Sequence, residues 1–147
     1  MSGAIVIDAS VALAWALGEQ YREHARRLID DALAEQRPIV VPPLFHAEAT
    51  NAIFQRHRRE GLSMSEATQA LDQILAQDVR IVTSLSLYRD ALALAQRFKL
   101  PAAYDSQYLA ATVVVDGQFW TADARLLRAL PRSFKRAHWI GDYPIGA

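Results

Sequence analysis

An apolar, β-branched run that ends in an acid, Ile5-Val6-Ile7-Asp8, is the feature that most constrains this chain. An apolar helical pattern follows almost at once, from Val11 onward. A continuous apolar strand followed by a helix is typical of a central strand of a parallel sheet, because both faces of that strand are covered. Open parallel sheets bind their ligands at the carboxyl ends of strands, where Asp8 lies. Asp8 is therefore either a helix N-cap or a site residue, and this run alone favours neither.

Apolar strand patterns alternate with helical patterns along the rest of the chain. Further strands are predicted at 39–41, 79–83, 118–121 and 137–140, the last at an edge of the sheet. Helices are predicted at 21–35, 43–60, from Ser63 or Ser65 onward, 87–98, 103–115 and 122–130. With no internal repeat or linker in sight, we expect one domain over residues 1–147. Its predicted class is α/β, a three-layer α/β/α domain with a central, mostly parallel sheet of four to five strands.

Composition and charge exclude several classes of protein. Sixteen basic and sixteen acidic residues give a formal net charge of zero, so no strong nucleic-acid-binding field covers the whole chain. The absence of cysteine excludes disulfides and zinc–thiolate sites and is consistent with an intracellular location. No secretory leader pattern and no apolar run of about 18 residues is present. We therefore expect a cytoplasmic protein that does not span a membrane.

The familiar hydrolytic motifs are missing. The six glycines form neither a phosphate-binding loop nor a dinucleotide fingerprint. No serine lies in a nucleophile-elbow pattern. The four histidines lack the spacing of a helical zinc pair. Carboxylates at the ends of strands are what remains.

Four acids follow strands or begin helices: Asp8, Glu48, Asp105 and Asp123. Each has an ordinary explanation by itself, as a helix cap, a partner of a helix dipole or a solvated residue. In a parallel α/β layout, however, all four would lie at one edge of the sheet. Crowded carboxylates repel each other unless a cation lies among them. Oxygen ligands without Cys or His favour Mg²⁺, or Mn²⁺ in its place, and such a site suits phosphoryl chemistry.

Three polar residues are placed to support these acids. Asn51 lies three positions after Glu48, on the same helix face. Thr121 and Ser10 each lie two residues from an acid, where either can orient the carboxylate or a metal-bound water. Local capping of the backbone is at least as good an explanation for Ser10.

Three arginines, Arg56, Arg58 and Arg59, end the helix that carries Glu48. They are candidates for contacts with a nucleic-acid backbone. A solvated helix end, favoured by the helix dipole, is the alternative explanation.

Four segments carry a resemblance to a known family: Ile5–Val11, Val41–Ala52, Ala103–Ala110 and Trp120–Leu126. They resemble the four motifs of PIN-domain ribonucleases, and in order and spacing they are similar to the VapC toxins of bacterial type II toxin–antitoxin modules. The resemblance implies a divalent-metal site supported by Thr121 and Asn51 and formed by four ligands: Asp8, Glu48, Asp105 and Asp123. It also implies a homodimer and a cognate VapB-type antitoxin, which occludes the site and itself supplies DNA binding.

The expected function is therefore a Mg²⁺-dependent endoribonuclease that acts as a toxin. A stand-alone PIN nuclease and a metal-dependent binding module without turnover are the alternatives. A small phosphatase is a poorer fit, because neither Lys99 nor Lys135 follows a strand as a phosphate-binding lysine should. Transfer, ribosomal and messenger RNA are equally open as substrates.

Overall fold

The computed structural model describes residues 3–146, and its centre is a five-stranded sheet in the order β3-β2-β1-β4-β5. The strands are β1 (Ile5–Ile7), β2 (Ile39–Val41), β3 (Arg80–Ile81), β4 (Gln118–Thr121) and β5 (Ala137–Trp139). All four strand pairings are parallel. The prediction of a parallel sheet with β1 at its centre is confirmed.

Seven helices within residues 3–146 cover this sheet. They are α1 (Ala9–Leu17), α2 (Arg22–Ala34), α3 (Leu44–Glu60), α4 (Met64–Ala76), α5 (Ser86–Arg97), α6 (Asp105–Val114) and α7 (Ala124–Ala129), and a 3₁₀ turn follows β5 at Ile140–Asp142. Helices α1 to α4 pack on one another, whereas α5 packs on α6. The predicted three-layer α/β/α class is confirmed. No helix within residues 3–146 is long and apolar enough to cross a membrane.

The central strand is buried on both faces, as its continuous apolar pattern predicted. Ile5, Val6 and Ile7 are each at most 1% exposed, and they belong to a single cluster of buried apolar side chains. Each such side chain contributes roughly 1.5–3 kcal/mol when it leaves water. The strand that precedes Asp8 is therefore anchored in the apolar core.

The predicted start of α4 is confirmed at one residue, and a glycine determines how β4 approaches β1. Ser63, rather than Ser65, caps α4, since its hydroxyl accepts from the Glu66 amide at 3.0 Å and the Glu66 carboxylate accepts from the Ser63 amide at 3.2 Å. Gly117 directly precedes β4 and lies so close to the residue before β1 that a Cβ there would be 2.3 Å from the Ala4 carbonyl oxygen. Only glycine fits this approach.

The predicted strand at 79–83 was too long, because only Arg80–Ile81 pairs. Its partner β2 ends at Val41, before two prolines, and the register joins Val41 to Ile81. Beyond Ile81 one further amide, that of Val82, reaches the Val41 carbonyl at 3.0 Å. A strand cannot extend past the end of its partner when nothing flanks it on the other side, so β3 stays short.

Candidate active site at the carboxyl edge of the sheet

Asp8 lies at the carboxyl end of β1, where its carboxylate accepts three hydrogen bonds. It is 7% exposed and is the N-cap of α1, with its Oδ1 accepting from the Val11 amide at 3.3 Å. The Ser10 hydroxyl donates to the same oxygen at 2.5 Å, and the Thr121 hydroxyl donates to Oδ2 at 2.5 Å. Asp8 is therefore both a cap and a buried carboxylate at the candidate site.

Burial raises the pKa of Asp8 from 3.8 to about 6. The three hydrogen bonds oppose this rise, because they favour the charged form. The negative charge of Asp105 adds to the rise. Hydrogen bonding thus offsets only part of the cost of burying this charge, and a nearby cation would lower that cost further.

Thr121 links Asp8 to Asp123 across neighbouring strands. The register pairs Ile7 with Trp120, so the next residue on each strand, Asp8 and Thr121, also meet. The buried Thr121 hydroxyl donates to Asp8 and accepts from the Asp123 amide at 3.0 Å. Ser10 makes a second link, since its hydroxyl accepts from the Ala122 amide at 2.8 Å. These bonds fix the turn after β4 against the end of β1.

Asp123 is the N-cap of α7. Its Oδ1 accepts from the amides of Arg125 and Leu126 at 3.0 and 3.4 Å. The carboxylate is 34% exposed and lies 3.9 Å from the exposed Arg125 side chain. One of its oxygens, Oδ2, is left for another partner.

Asp105 connects the four acids through its charge. It is the first residue of α6 and is half-buried. Burial raises its pKa, the charge of Asp123 raises it further, and Arg125 lowers it. The Asp105 charge in turn contributes to the raised pKa values of Asp8 and Glu48. All four predicted acids therefore belong to one electrostatically coupled group.

Glu48 is held by a tyrosine from another helix. It lies in the second turn of α3, and its Oε1 accepts from the Tyr108 hydroxyl of α6 at 2.5 Å. Burial raises the pKa of Glu48, although the Tyr108 bond opposes this rise. Burial and the surrounding carboxylates raise the pKa of Tyr108 as well, so its hydroxyl stays a donor. This contact fixes one oxygen of Glu48 and leaves Oε2 free.

The donor set fits a hard divalent cation. It consists of carboxylate oxygens whose pKa values rise partly because of one another, a condition that a cation relieves. Among residues 3–146, no three His, Asp or Glu side chains lie close enough together to hold one metal ion. Mg²⁺ usually keeps several waters and is held by one or two carboxylates together with substrate phosphates. The assignment of all four acids to one ion stays a prediction.

Asn51 and the α3 arginines make no hydrogen bond or ion pair with the four acids among residues 3–146. Asn51 is exposed, and its Oδ1 accepts from Gln55 at 3.5 Å. Arg56 forms ion pairs with Glu19 at 2.7 Å and with Glu60 at 3.2 Å, so its charge is compensated. Arg58 and Arg59 are exposed. The supporting role of Asn51 and the RNA contacts of the three arginines stay predictions.

Comparison with protein families assigns this chain to one of them. The PIN domain family model matches residues 5–130, a range that contains all four acids. The chain belongs to the PIN domain family. No curated protein sequence matches it.

Solved structures share this PIN domain's fold over nearly its whole length. PAE2754 from Pyrobaculum aerophilum has 20% sequence identity and a TM-score of 0.67, with 96% of this chain and 93% of that chain covered. VapBC2 from Rickettsia felis, bound to a DNA fragment from its promoter, has 11% identity and a TM-score of 0.63, with 92% of this chain and 98% of that chain covered. VapC20 from Mycobacterium tuberculosis, a sarcin-ricin loop cleaving toxin, has 16% identity and a TM-score of 0.59, with 97% of this chain and 98% of that chain covered. At these identities the likeness shows the fold alone.

Tyr108 is the residue of this PIN domain that sequence reasoning missed. It lies in an almost wholly apolar helical pattern, where an aromatic ring is normally a core residue. Its ring is indeed buried and stacks on Phe119 with centroids 6.0 Å apart. The available signal was its spacing, because Tyr108 lies three residues after Asp105 and therefore on the same helix face.

We expect Tyr108→Phe to weaken Mn²⁺ binding about tenfold, because residues that orient a metal ligand typically contribute about 10–100-fold to affinity. The ring and its packing are kept, so stability should change little. Calorimetric titration with Mn²⁺ measures the effect. In a Glu48→Gln background the same substitution should cause no further loss.

The matched control is Tyr143→Phe, which removes a hydroxyl that donates to Asp31 at 2.6 Å. Mn²⁺ binding by this control should equal that of the wild type. If Tyr108→Phe binds Mn²⁺ normally, or weakens it equally without Glu48, then Tyr108 is a packing residue only.

Proposed function

We propose that this PIN domain is a metal-dependent endoribonuclease, and that it is the toxin of a VapBC-type toxin–antitoxin module. The observation that carries the proposal is the coupled group of carboxylates at the carboxyl edge of the sheet. Asp105 lies at its centre, coupled in charge to Asp8, Glu48 and Asp123. Burial raises the pKa values of Asp8, Glu48 and Asp105, and carboxylates with perturbed pKa values are common at catalytic sites.

The side chains divide the work of this site. Ser10 and Thr121 fix both oxygens of Asp8, while Tyr108 fixes one oxygen of Glu48. When bound, Mg²⁺ or Mn²⁺ supplies acidity to an attacking water and positive charge opposite the phosphodiester oxygens. The fixed carboxylates hold their charge in place before substrate arrives, so little reorganisation is needed during the reaction. The Ser10 and Thr121 hydroxyls both donate to Asp8, and hydrolysis by an activated water needs no protein nucleophile.

Structural relatives support the toxin assignment and its partners. VapC20 is a toxin that cleaves the sarcin-ricin loop, and VapBC2 is a toxin–antitoxin complex bound to promoter DNA. We propose by analogy an RNA substrate and a VapB-type antitoxin, with DNA contacted only through that antitoxin. Exposed apolar residues beside and on α5, Leu85 at 81% and Leu92 at 67%, support a homodimer. The proposed location is the cytoplasm, and the proposed unit is one catalytic domain.

We expect Mg²⁺ or Mn²⁺ to raise the melting temperature of this domain by mass action. A free ion concentration of about 100 times the dissociation constant adds roughly 2.7 kcal/mol to the free energy of unfolding. Differential scanning fluorimetry with MgCl₂, MnCl₂ or EDTA measures the shift. Asp8→Asn should abolish it, whereas Asp72→Asn, an exposed acid of α4, should keep it. An equal shift in both variants would mean that the ion binds elsewhere.

The proposed reaction is tested by single-turnover cleavage of RNA with and without EDTA. Metal-dependent cleavage of a single-stranded or loop-containing RNA supports the nuclease. Metal binding without cleavage of any RNA would instead indicate a binding module. Hydrolysis of a small phosphate monoester alone would indicate a phosphatase.

A neighbouring reading frame separates a toxin from a stand-alone nuclease. A small adjacent gene for a DNA-binding protein would support the toxin–antitoxin module. Its product should co-purify with this PIN domain and suppress RNA cleavage. Cleavage that is unaffected by any adjacent gene product would favour the stand-alone enzyme.

A further inference from the structure

The segment that begins with α7 carries an unusual concentration of positive charge. Residues 124–136 contain four arginines, one lysine and no acid, in a chain whose formal net charge is zero. Arg128, Arg132 and Lys135 are exposed. Among residues 3–146, the ion pairs of this segment involve Arg125 and Arg136 and leave those three side chains unpaired. We call the exposed set the basic strip: Arg125, Arg128, Arg132 and Lys135.

Contacts of two half-buried residues, Phe134 and Arg136, hold the second half of the basic strip in place. The Phe134 ring packs edge-on against Phe98, with centroids 5.7 Å apart, and its amide donates to the Pro131 carbonyl at 3.0 Å. Arg136 donates to the Gly117 carbonyl at 3.1 Å and to Asp116 at 2.6 Å. These anchors occupy Phe134 and Arg136, so the intervening Lys135 is left to solvent. A surface that is already ordered loses little backbone freedom when it binds a ligand.

The first half of the basic strip adjoins the candidate active site. Asp123 caps α7, and Arg125 in the first turn lies 3.9 Å from its carboxylate with its own side chain 87% exposed. The charge of Arg125 also lowers the pKa of Asp105. Arg128 follows on the same helix face, three residues later. Positive charge therefore starts at the acids and continues along the exposed side of this segment.

We infer that the basic strip binds the backbone phosphates of a single-stranded RNA that reaches the acidic edge of the sheet. This inference rests on the proposed function, because that function brings a polyanion to a group of carboxylates. The carboxylates repel phosphate, and adjacent arginines offset this repulsion. The strip supplies three unpaired cations, whereas Arg56 at the end of α3 is already compensated by two acids.

RNA binding can be measured separately from cleavage. The probe is a short, fluorescently labelled, mixed-sequence single-stranded RNA, and the observable is its anisotropy in EDTA at several KCl concentrations. The strip variant combines three substitutions: Arg128→Gln, Arg132→Gln and Lys135→Gln. The matched control also removes two exposed arginines and one exposed lysine, all from other parts of the chain: Arg27→Gln, Arg80→Gln and Lys99→Gln.

The strip variant should bind the RNA about tenfold more weakly than the control, with an unchanged melting temperature. Loss of three phosphate contacts on single-stranded nucleic acid should make the negative slope of log affinity against log salt shallower by about 2. The slope of the control should match the wild type. Equal weakening in both variants, or no weakening in either, would overturn the inference. A double variant, Arg58→Gln with Arg59→Gln, that loses more affinity than the strip variant would also overturn it.

Two further outcomes separate this inference from its neighbours. If the strip variant binds RNA normally but loses binding to poly-glutamate, the strip serves an acidic protein and the inference is wrong. If the wild type cleaves RNA while the strip variant binds it normally, the proposed function stands and the inference about the strip is wrong. If the wild type binds RNA through the strip but never cleaves it, the strip stands and the proposed nuclease fails.

Discussion

Replacing Asp8 or Asp105 with Asn is expected to slow single-turnover RNA cleavage by roughly 10²–10³-fold, the usual loss when one electrostatic contributor to a preorganised site is removed. Each substitution deletes one negative charge from the coupled group while nearly keeping the side chain's size. Chelation of the metal should reduce cleavage by the wild type at least as far.

The Asn variants isolate charge from capping. Asn caps a helix about as well as Asp does, so Asp8→Asn can keep the bonds from Ser10 and the Val11 amide. The Thr121 hydroxyl can turn to accept from the new amide. Asp72→Asn, in an exposed position, is the control and should cleave at the wild-type rate. Full activity of either site variant, or undiminished cleavage in EDTA, would show that these acids do not form a catalytic metal site.

The second large effect expected is a reversal of the usual dependence of stability on pH. Metal-free protein should be more stable at about pH 5 than at about pH 7.5, by about 1 kcal/mol. The pKa of Asp8 rises from 3.8 to about 6 on folding, so the folded protein binds this proton more tightly than the unfolded chain does. The stability that the proton provides is complete below the unfolded value of 3.8 and is lost as pH rises through about 6.

Asp8→Asn should reduce this dependence, because its side chain carries no charge at any pH, whereas burial still raises the pKa values of Glu48 and Asp105. Above pH 7 it should be more stable than the wild type by up to about 3 kcal/mol, the equivalent of the Asp8 pKa shift. Urea denaturation in EDTA measures both quantities. A variant that is much less stable than the wild type at neutral pH would show that Asp8 serves mainly as a helix cap.

The placement of the acids toward one edge of the sheet could be predicted, because it depends on chain order. Strand ends and the helix starts that follow them share one edge of a parallel sheet. The contact between Asp8 and Thr121 follows from the register of two predicted strands. Position in an alternating β/α chain therefore determines much of this site before any side-chain contact is known.

Contacts between distant side chains could not be predicted in this way. The Tyr108–Glu48 bond joins residues 60 apart in sequence, from two helices whose rotation about their own axes the pattern does not determine. The same holds for the ion pair of Arg56 with Glu19, 37 residues away. The length of β3 also escaped prediction, because it is limited by the end of a neighbouring strand.

The pairing of β1 with β4 has a consequence for how the protein is made. Ile5 pairs with Gln118, so the ribosome releases one strand long before the other exists. Pairing between segments so far apart in sequence is slow to form. Until β4 has emerged, Asp8 lacks the Thr121 hydroxyl and the candidate centre lacks Asp123. Under the proposed function, the chain therefore cannot assemble its full set of acids, and so cannot cut RNA, during most of its own translation.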